Sequence, residues 1–260
     1  MIQQGTDILK EHTKKSLTFD GKLQQINFLD TRVYKRREDI YYPSVTSILQ
    51  YMPKNRFFET WLKDVGHNST IIMRKAGKEG TQVHEAAEQL VLGEEIEWMD
   101  KYGKAKYNTL VWEMILKFAD FWKTEKPELI SAEDFVYSDE HKYAGTADLV
   151  VKMNGETWLL DIKTSNALHK TYDMQLAAYA KAMEETKGIK IDRTGIIWLK
   201  ASTRKASTKK DVIQGKGWQL KVVDNIDENF ELFKLIYKLF SLDNKETKPH
   251  YKVLPTSIKL

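Results

Sequence analysis

The chain has 260 residues, 42% of them hydrophobic, with 41 lysines and arginines against 37 aspartates and glutamates and no cysteine. A net charge of 41 − 37 = +4 is too small to mark a nucleic-acid binder by itself. No apolar run reaches the ~18 residues of a membrane helix. The first residues lack the apolar core and cleavage site of a secretion signal, and the lack of cysteine excludes a cysteine-bound iron–sulfur cluster. An intracellular chain that buries a full core and makes no membrane contact is expected.

Residues 22–38 alternate as strands around Asp30-Thr31. Aromatic and cationic side chains then intermingle at Tyr41, Tyr42, Tyr51, Arg56, Phe57, Phe58 and Trp61. The spacing of Phe57, Phe58, Trp61 and Leu62 predicts a helix that buries them. Tyr42 and Ser44 remain as candidate nucleic-acid contacts, and Arg56, Arg74, Lys75 and Lys78 can meet phosphates. A helical region over 44–125 is expected to form a cap or arch. Within it, 69–92 reads as one long helix, where Gly77, Gly80 or Thr81, His84 and Ala87 or Glu88 share a stripe. Small residues on that stripe allow close approach to a sheet, with His84 hanging over it. The run HEAAE at 84–88 has Glu88 where a zinc-protease helix carries its second histidine, which argues against that chemistry.

Residues 131–138 read as a strand and 139–142 as a polar turn. The strongest signal follows: Asn154-Gly155 between apolar runs at 145–153 and 156–164 predicts a two-residue hairpin. In that register partner numbers sum to 309, which sets Asp148 opposite Asp161 and Lys163 opposite Thr146. A turn centred between Glu140 and His141 gives a sum of 281 and sets Glu133 opposite Asp148. Directly opposed residues have Cβ atoms about 5 Å apart, and two carboxylates there repel by roughly 3 kcal/mol at an effective dielectric near 20. A divalent cation reverses that sign, and oxygen ligands favour Mg²⁺ or Mn²⁺ over zinc. A neutralising role for Lys163, with the second carboxylate solvated, is the alternative.

Residues 171–185 read as a helix capped by Thr171, with Asp173 in its first turn and Leu176, Ala180 and Met183 packing inward. Gln175 and Tyr179 lie one turn apart and can orient the lysine or bind a phosphate. Strands are expected over 193–200 and 217–223 and an amphipathic helix over 228–242. Between the two strands, Arg204, Lys205, Lys209 and Lys210 form a basic loop suited to a phosphate backbone or to plain solvation.

Taken together, Gly145-Thr146-Ala147-Asp148, Asp161-Ile162-Lys163-Thr164 and Gln175-x-x-x-Tyr179 resemble the RecB-type branch of the PD-(D/E)xK nucleases. Gly80-Thr81-Gln82-Val83-His84 is similar to that branch's histidine motif. Residues 42–49, YPSVTSIL, resemble the N-terminal segment of mitochondrial genome maintenance exonuclease and its phage and bacterial relatives. The resemblance implies a restriction-endonuclease-like α/β fold: a mixed central sheet flanked by helices with an N-terminal helical cap or arch. It implies Asp148 and Asp161 as metal ligands, His84 as a further ligand and Lys163 as the residue that positions the attacking water. Glu133 matches a less constant acidic position.

The expected organisation is an N-terminal region, 1–125, carrying the histidine motif and a catalytic core, 126–260, within one compact unit. The expected function is a DNA exonuclease using one or two Mg²⁺ or Mn²⁺ ions, acting on single-stranded DNA with a free end during replication, repair or recombination. A structure-specific endonuclease shares every catalytic residue, and a noncatalytic DNA-binding module is the third class.

Overall fold

The computed structural model describes residues 24–28, 31–54, 56–199 and 217–248. Three antiparallel strands come first: β1 (Gln24–Phe28), β2 (Thr31–Arg37) and β3 (Ile40–Pro43). Four helices follow, α1 (Val45–Leu49), α2 (Arg56–Val65), α3 (Asn68–Val91) and α4 (Thr109–Glu125). A five-stranded sheet then runs in spatial order β4 (Glu128–Ser138), β5 (Tyr143–Met153), β6 (Glu156–Lys163), β7 (Arg193–Trp198) and β8 (Gln219–Val223). Among the described strands only β6 and β7 pair in parallel, and α5 (Lys170–Lys187) makes the crossover such a pair requires. Helix α6 (Ile226–Asp243) follows β8.

Both predicted registers hold. Pairs from Met153↔Glu156 to Leu149↔Leu160 keep the sum of 309, and Asn154 and Gly155 take the positive φ of a type I′ turn, 54° and 82°. Pairs from Ser138↔Tyr143 to Asp134↔Ala147 keep the sum of 281, and a bulge shifts the ladder only between Leu129 and Ser131.

Helices cover both faces of the sheet, so its strands are apolar on both sides. On one face Val150, Leu159 and Ile196 meet Leu176, Ala180 and Met183 of α5 and Phe230 and Phe233 of α6. On the other, Leu149, Leu160, Ile162 and Ile197 meet Val83, Ala86 and Ala87 of α3 and Met114, Phe118 and Phe121 of α4. The expected helical region therefore divides: α4 and the second half of α3 belong to the core, whereas α2 and the first half of α3 stand away from it.

Two local expectations fail. Helix α2 buries none of its residues, and Phe57 is 87% exposed. In the first turns of α3 Ile71, Ile72 and Met73 are likewise exposed, so amphipathic spacing here does not find a core. Helix α5 begins at Lys170, with His169 rather than Thr171 in the cap position, and no side chain caps it.

The small sheet is fastened to the large one by polar contacts. Arg36 binds Asp139 through Nε at 3.1 Å and a terminal nitrogen at 3.0 Å, and Tyr42 donates its hydroxyl to Asp139 Oδ1 at 2.7 Å. Burial would raise the Asp139 carboxyl, but the hydrogen bonds from Arg36 and Tyr42 hold it below the ordinary carboxylate range. No helix among the described residues is long and apolar enough to cross a membrane.

Candidate active site

Regular pairing between β5 and β6 ends at Leu149↔Leu160. One residue further, the Ile162 amide donates to Asp148 Oδ2 at 2.8 Å, so a side chain takes the acceptor place that a backbone carbonyl would hold. The β4–β5 ladder is interrupted at the same level: pairing passes from Ala132↔Leu149 to Asp134↔Ala147, and Glu133 between them has φ 48°, a left-handed conformation costly for a residue with a Cβ. Both residues that the registers set opposite Asp148 thus lie where the ladders to β5 are broken.

Helix α3 closes over this gap. A Cβ on Gly80 would stand 3.2 Å from Thr164 Oγ1, so the close approach expected of the small-residue stripe occurs there, although Gly77 meets nothing within 4 Å. One turn on, His84 Nδ1 lies 3.3 Å from Asp148 Oδ2 and 4.0 Å from Glu133 Oε1. His84, Glu133 and Asp148 can each offer a ligating atom, all within 4.8 Å of one another. Asp161 is 2% exposed; its Oδ2 lies 2.5 Å from Lys163 Nζ, and its Oδ1 has no hydrogen-bond partner among the described residues.

Helix α5 supplies the lysine's other neighbours. Lys163 donates to Gln175 Oε1 at 3.3 Å, and Gln175 in turn donates to the Tyr179 hydroxyl at 3.3 Å. The Tyr179 ring lies against Gly145, where a Cβ would come within 2.2 Å of its Cε1. The Lys163 ammonium also sits 4.6 Å from the centre of the Tyr172 ring. Tyr172 escaped the sequence reading; its place three residues before Gln175, on the same helix face, is the signal that points to it. A further contact comes from the small sheet, where the Tyr34 hydroxyl lies 3.1 Å from Thr146 Oγ1.

Burial, repulsion among the carboxylates and attraction between opposite charges together set the protonation of the cluster. Burial alone would depress the His84 imidazole, but the charge and hydrogen bond of Asp148, with the Asp161 charge, together outweigh it and push the group up to about 9. Glu133 rises to about 7 because it is buried and because Asp148 repels its charge. Asp161 rises to about 6, through burial that the adjacent Lys163 only partly offsets. Asp148 moves down despite burial, since His84 favours its charge. Burial would lower Lys163, yet Asp161 and Asp148 hold it above the ordinary lysine value. Two carboxylates and one imidazole within ligating reach of one another, together with the Asp161 carboxylate, whose buried Oδ1 has no hydrogen-bond partner among the described residues, form a donor set that fits a hard divalent cation such as Mg²⁺ or Mn²⁺.

The family model of the PD-(D/E)XK nuclease superfamily matches residues 57–251, which takes in every element from α2 to α6. The chain belongs to the PD-(D/E)XK nuclease superfamily. No curated protein matches its sequence. Among solved structures, a candidate exonuclease of Eubacterium rectale is 14% identical with a TM-score of 0.41, over 70% of this chain and 77% of that one. An alkaline exonuclease of Laribacter hongkongensis is 8% identical with a TM-score of 0.37, over 78% of this chain and 87% of that one. Membership of the nuclease superfamily rests on the family match.

Within this nuclease, the motif residues His84, Glu133, Asp148, Asp161, Lys163, Gln175 and Tyr179 come together, whereas the candidate DNA contacts divide. Tyr42 is 4% exposed and bound to Asp139, and Ser44 is 1% exposed and caps α1 through the Ser47 amide. Both are structural and offer no surface to a strand, which corrects the expectation for them. Arg56, Arg74, Lys75 and Lys78 are exposed on α2 and α3. Arg204, Lys205, Lys209 and Lys210 lie outside the described residues.

Proposed function

We propose that the chain is a divalent-metal-dependent deoxyribonuclease that digests single-stranded DNA from a free end, in replication, repair or recombination. The carrying observation is the buried Asp161 oxygen without a partner, at the point where the ladders open and His84, Glu133, Asp148 and Lys163 converge. In a nuclease-superfamily chain such a cluster serves phosphodiester hydrolysis.

Asp148, Asp161 and His84 would hold the cation, with Glu133 close enough to join them. The ion, when bound, polarises the scissile phosphate and lowers the pKa of a water beside it. The protein's own groups do the rest. Lys163 donates hydrogen bonds toward an entering water or a phosphate oxygen and offsets the negative charge that grows as the water oxygen attacks phosphorus. Gln175 fixes the lysine, and Tyr179 fixes Gln175. The Ile162 amide holds Asp148 in one orientation, so the carboxylates need little reorganisation when the substrate arrives.

Preference for a single strand with a free end is supported by the α2–α3 projection. Its exposed Phe57, Ile71 and Ile72 can take unpaired bases, while Arg56, Arg74, Lys75 and Lys78 meet phosphates. The test compares a linear single strand with a closed circle of the same sequence in Mg²⁺ or Mn²⁺. Loss of the linear strand and survival of the circle is expected. Equal loss of both replaces the exonuclease reading with an endonuclease, and loss of neither rejects the function.

A further inference from the structure

We infer that Tyr172 is a positioning residue for the nuclease reaction: its ring face and Gln175 fix the Lys163 ammonium beside Asp161. This rests on the proposed function, in which Lys163 acts on the entering water or the phosphate.

A lysine side chain carries four rotatable bonds and about 2 kcal/mol of rotamer entropy, so an ammonium meant to act at one point must be held from more than one side. Here there are three holds. Asp161 Oδ2 lies 2.5 Å from Nζ, Gln175 Oε1 lies 3.3 Å away, and the Tyr172 ring centre lies 4.6 Å away. Asp161 holds the ammonium by charge, and Gln175 takes up one of its hydrogens. The ring differs: it attracts the cation through its negative face without needing a directed hydrogen bond, leaving ammonium N–H groups free to point at a substrate.

Tyr172 is itself held. It stands in the first turn of α5, its amide donates to the His169 carbonyl at 3.0 Å, and its ring meets the His169 imidazole edge to face at 5.5 Å and 83°. It is half-buried and packs beside the α5–α6 core. Tyr172, Gln175 and Tyr179 therefore form one continuous face of α5, with the ring at its N-terminal end as the element that touches the lysine from above. The lysine is also mostly enclosed, with its side chain 16% exposed, so the cation–ring attraction is weakly screened.

The experiment replaces Tyr172 with phenylalanine and with mono-, di- and trifluorophenylalanine, which keep ring shape while draining charge from its face. Turnover on linear single-stranded DNA should fall stepwise with fluorine number, to about three- to tenfold below the phenylalanine protein, as expected when the cation–ring attraction is removed. KM should move less than kcat, and Tyr172→Leu should match the trifluoro protein. A readout independent of cleavage uses ¹³C-lysine protein without metal. The Lys163 ε-methylene signal, identified by its loss in Lys163→Arg, should be shifted upfield by the ring and return among the other lysines in Tyr172→Leu. A flat fluorine series, an unshifted signal, or a rise in KM with unchanged kcat would overturn the inference, the last by making Tyr172 a base-stacking platform. Failure of the underlying function reads differently: the wild type would then leave the linear strand intact, or Lys163→Ala and Asp161→Asn would cleave as fast as it does.

Discussion

The carboxylate of Asp148 accepts a hydrogen bond from the amide of Ile162 at 2.8 Å, across the point where β5 and β6 cease to pair. One side chain thus ends a sheet ladder and orients a candidate metal ligand. Asp148→Asn keeps an acceptor for that amide and Asp148→Ala does not. Both variants should lose cleavage, but only the alanine protein should lose about 1–3 kcal/mol of stability for the amide left unsatisfied. Urea denaturation without metal measures the difference, and equal stability of the two variants would detach the hydrogen bond from the fold.

Mn²⁺ should raise the unfolding midpoint of the wild-type protein, because an ion bound only by the folded state stabilises it by mass action. The rise should disappear in Asp161→Asn and shrink in His84→Ala, and chelation should abolish both stabilisation and cleavage. An undiminished rise in Asp161→Asn would move the ion away from this carboxylate.

Gly145→Ala tests the packing of β5 against α5. The new methyl would meet the Tyr179 ring at 2.2 Å, and overpacking of this kind typically costs about 1–3 kcal/mol. Tyr179→Phe should give no relief, since the clash is with a ring carbon, whereas Tyr179→Leu should recover part of the stability in the double variant. Thermal melting of the four proteins decides.

Asp139→Asn should weaken the hold on the small sheet at neutral pH. The Asp139 carboxyl lies below its ordinary value in the folded chain, so its contribution is complete above the unfolded pKa near 3.9 and is lost as pH falls through the lower folded value. The stability gap between wild type and variant should therefore narrow below about pH 4. A gap constant from pH 7 to pH 3 would assign the effect to packing rather than charge.

Replacing Arg56, Arg74, Lys75 and Lys78 together with glutamine should flatten the salt dependence of single-strand binding, by about 0.7 in log–log slope for each phosphate that is no longer neutralised. Turnover at saturating DNA should change less, since these residues stand away from the carboxylates. An unchanged slope would make the α2–α3 projection a bystander.

The catalytic sheet was legible because its registers are written locally. Asn154-Gly155 and the 139–142 turn fix which residues face each other; the first sum persists through the β5–β6 ladder and the second as far as the bulge at Leu129. The positions of Asp148 and Asp161 follow from counting; the broken pairing around them does not, because Ile162 turning to a side-chain acceptor depends on both strands at once. A hydroxyl cap at Thr171 sets the start of α5 too late, because the helix begins at Lys170 behind His169, which makes no side-chain cap. Phe57 and Trp61 have the spacing of core residues, and that spacing says an apolar side exists without saying what covers it. Tyr42 and Ser44 read as candidate nucleic-acid contacts because Asp139, the partner of Tyr42, and the place of α1 in the core depend on the tertiary fold.

The Tyr34–Thr146 contact joins residues 112 positions apart. During synthesis the small sheet leaves the ribosome long before Thr146 or Asp139 exists, so its buried Tyr34 and Tyr42 must wait without their partners. The hairpins of β4, β5 and β6 close only short loops and can form as soon as they emerge, whereas docking of β2 and β3 closes a loop of more than ninety residues. The three strands of the small sheet are thus made before the large sheet and seated after it, and until they are seated Thr146, two residues from Asp148, lacks the tyrosine that meets it.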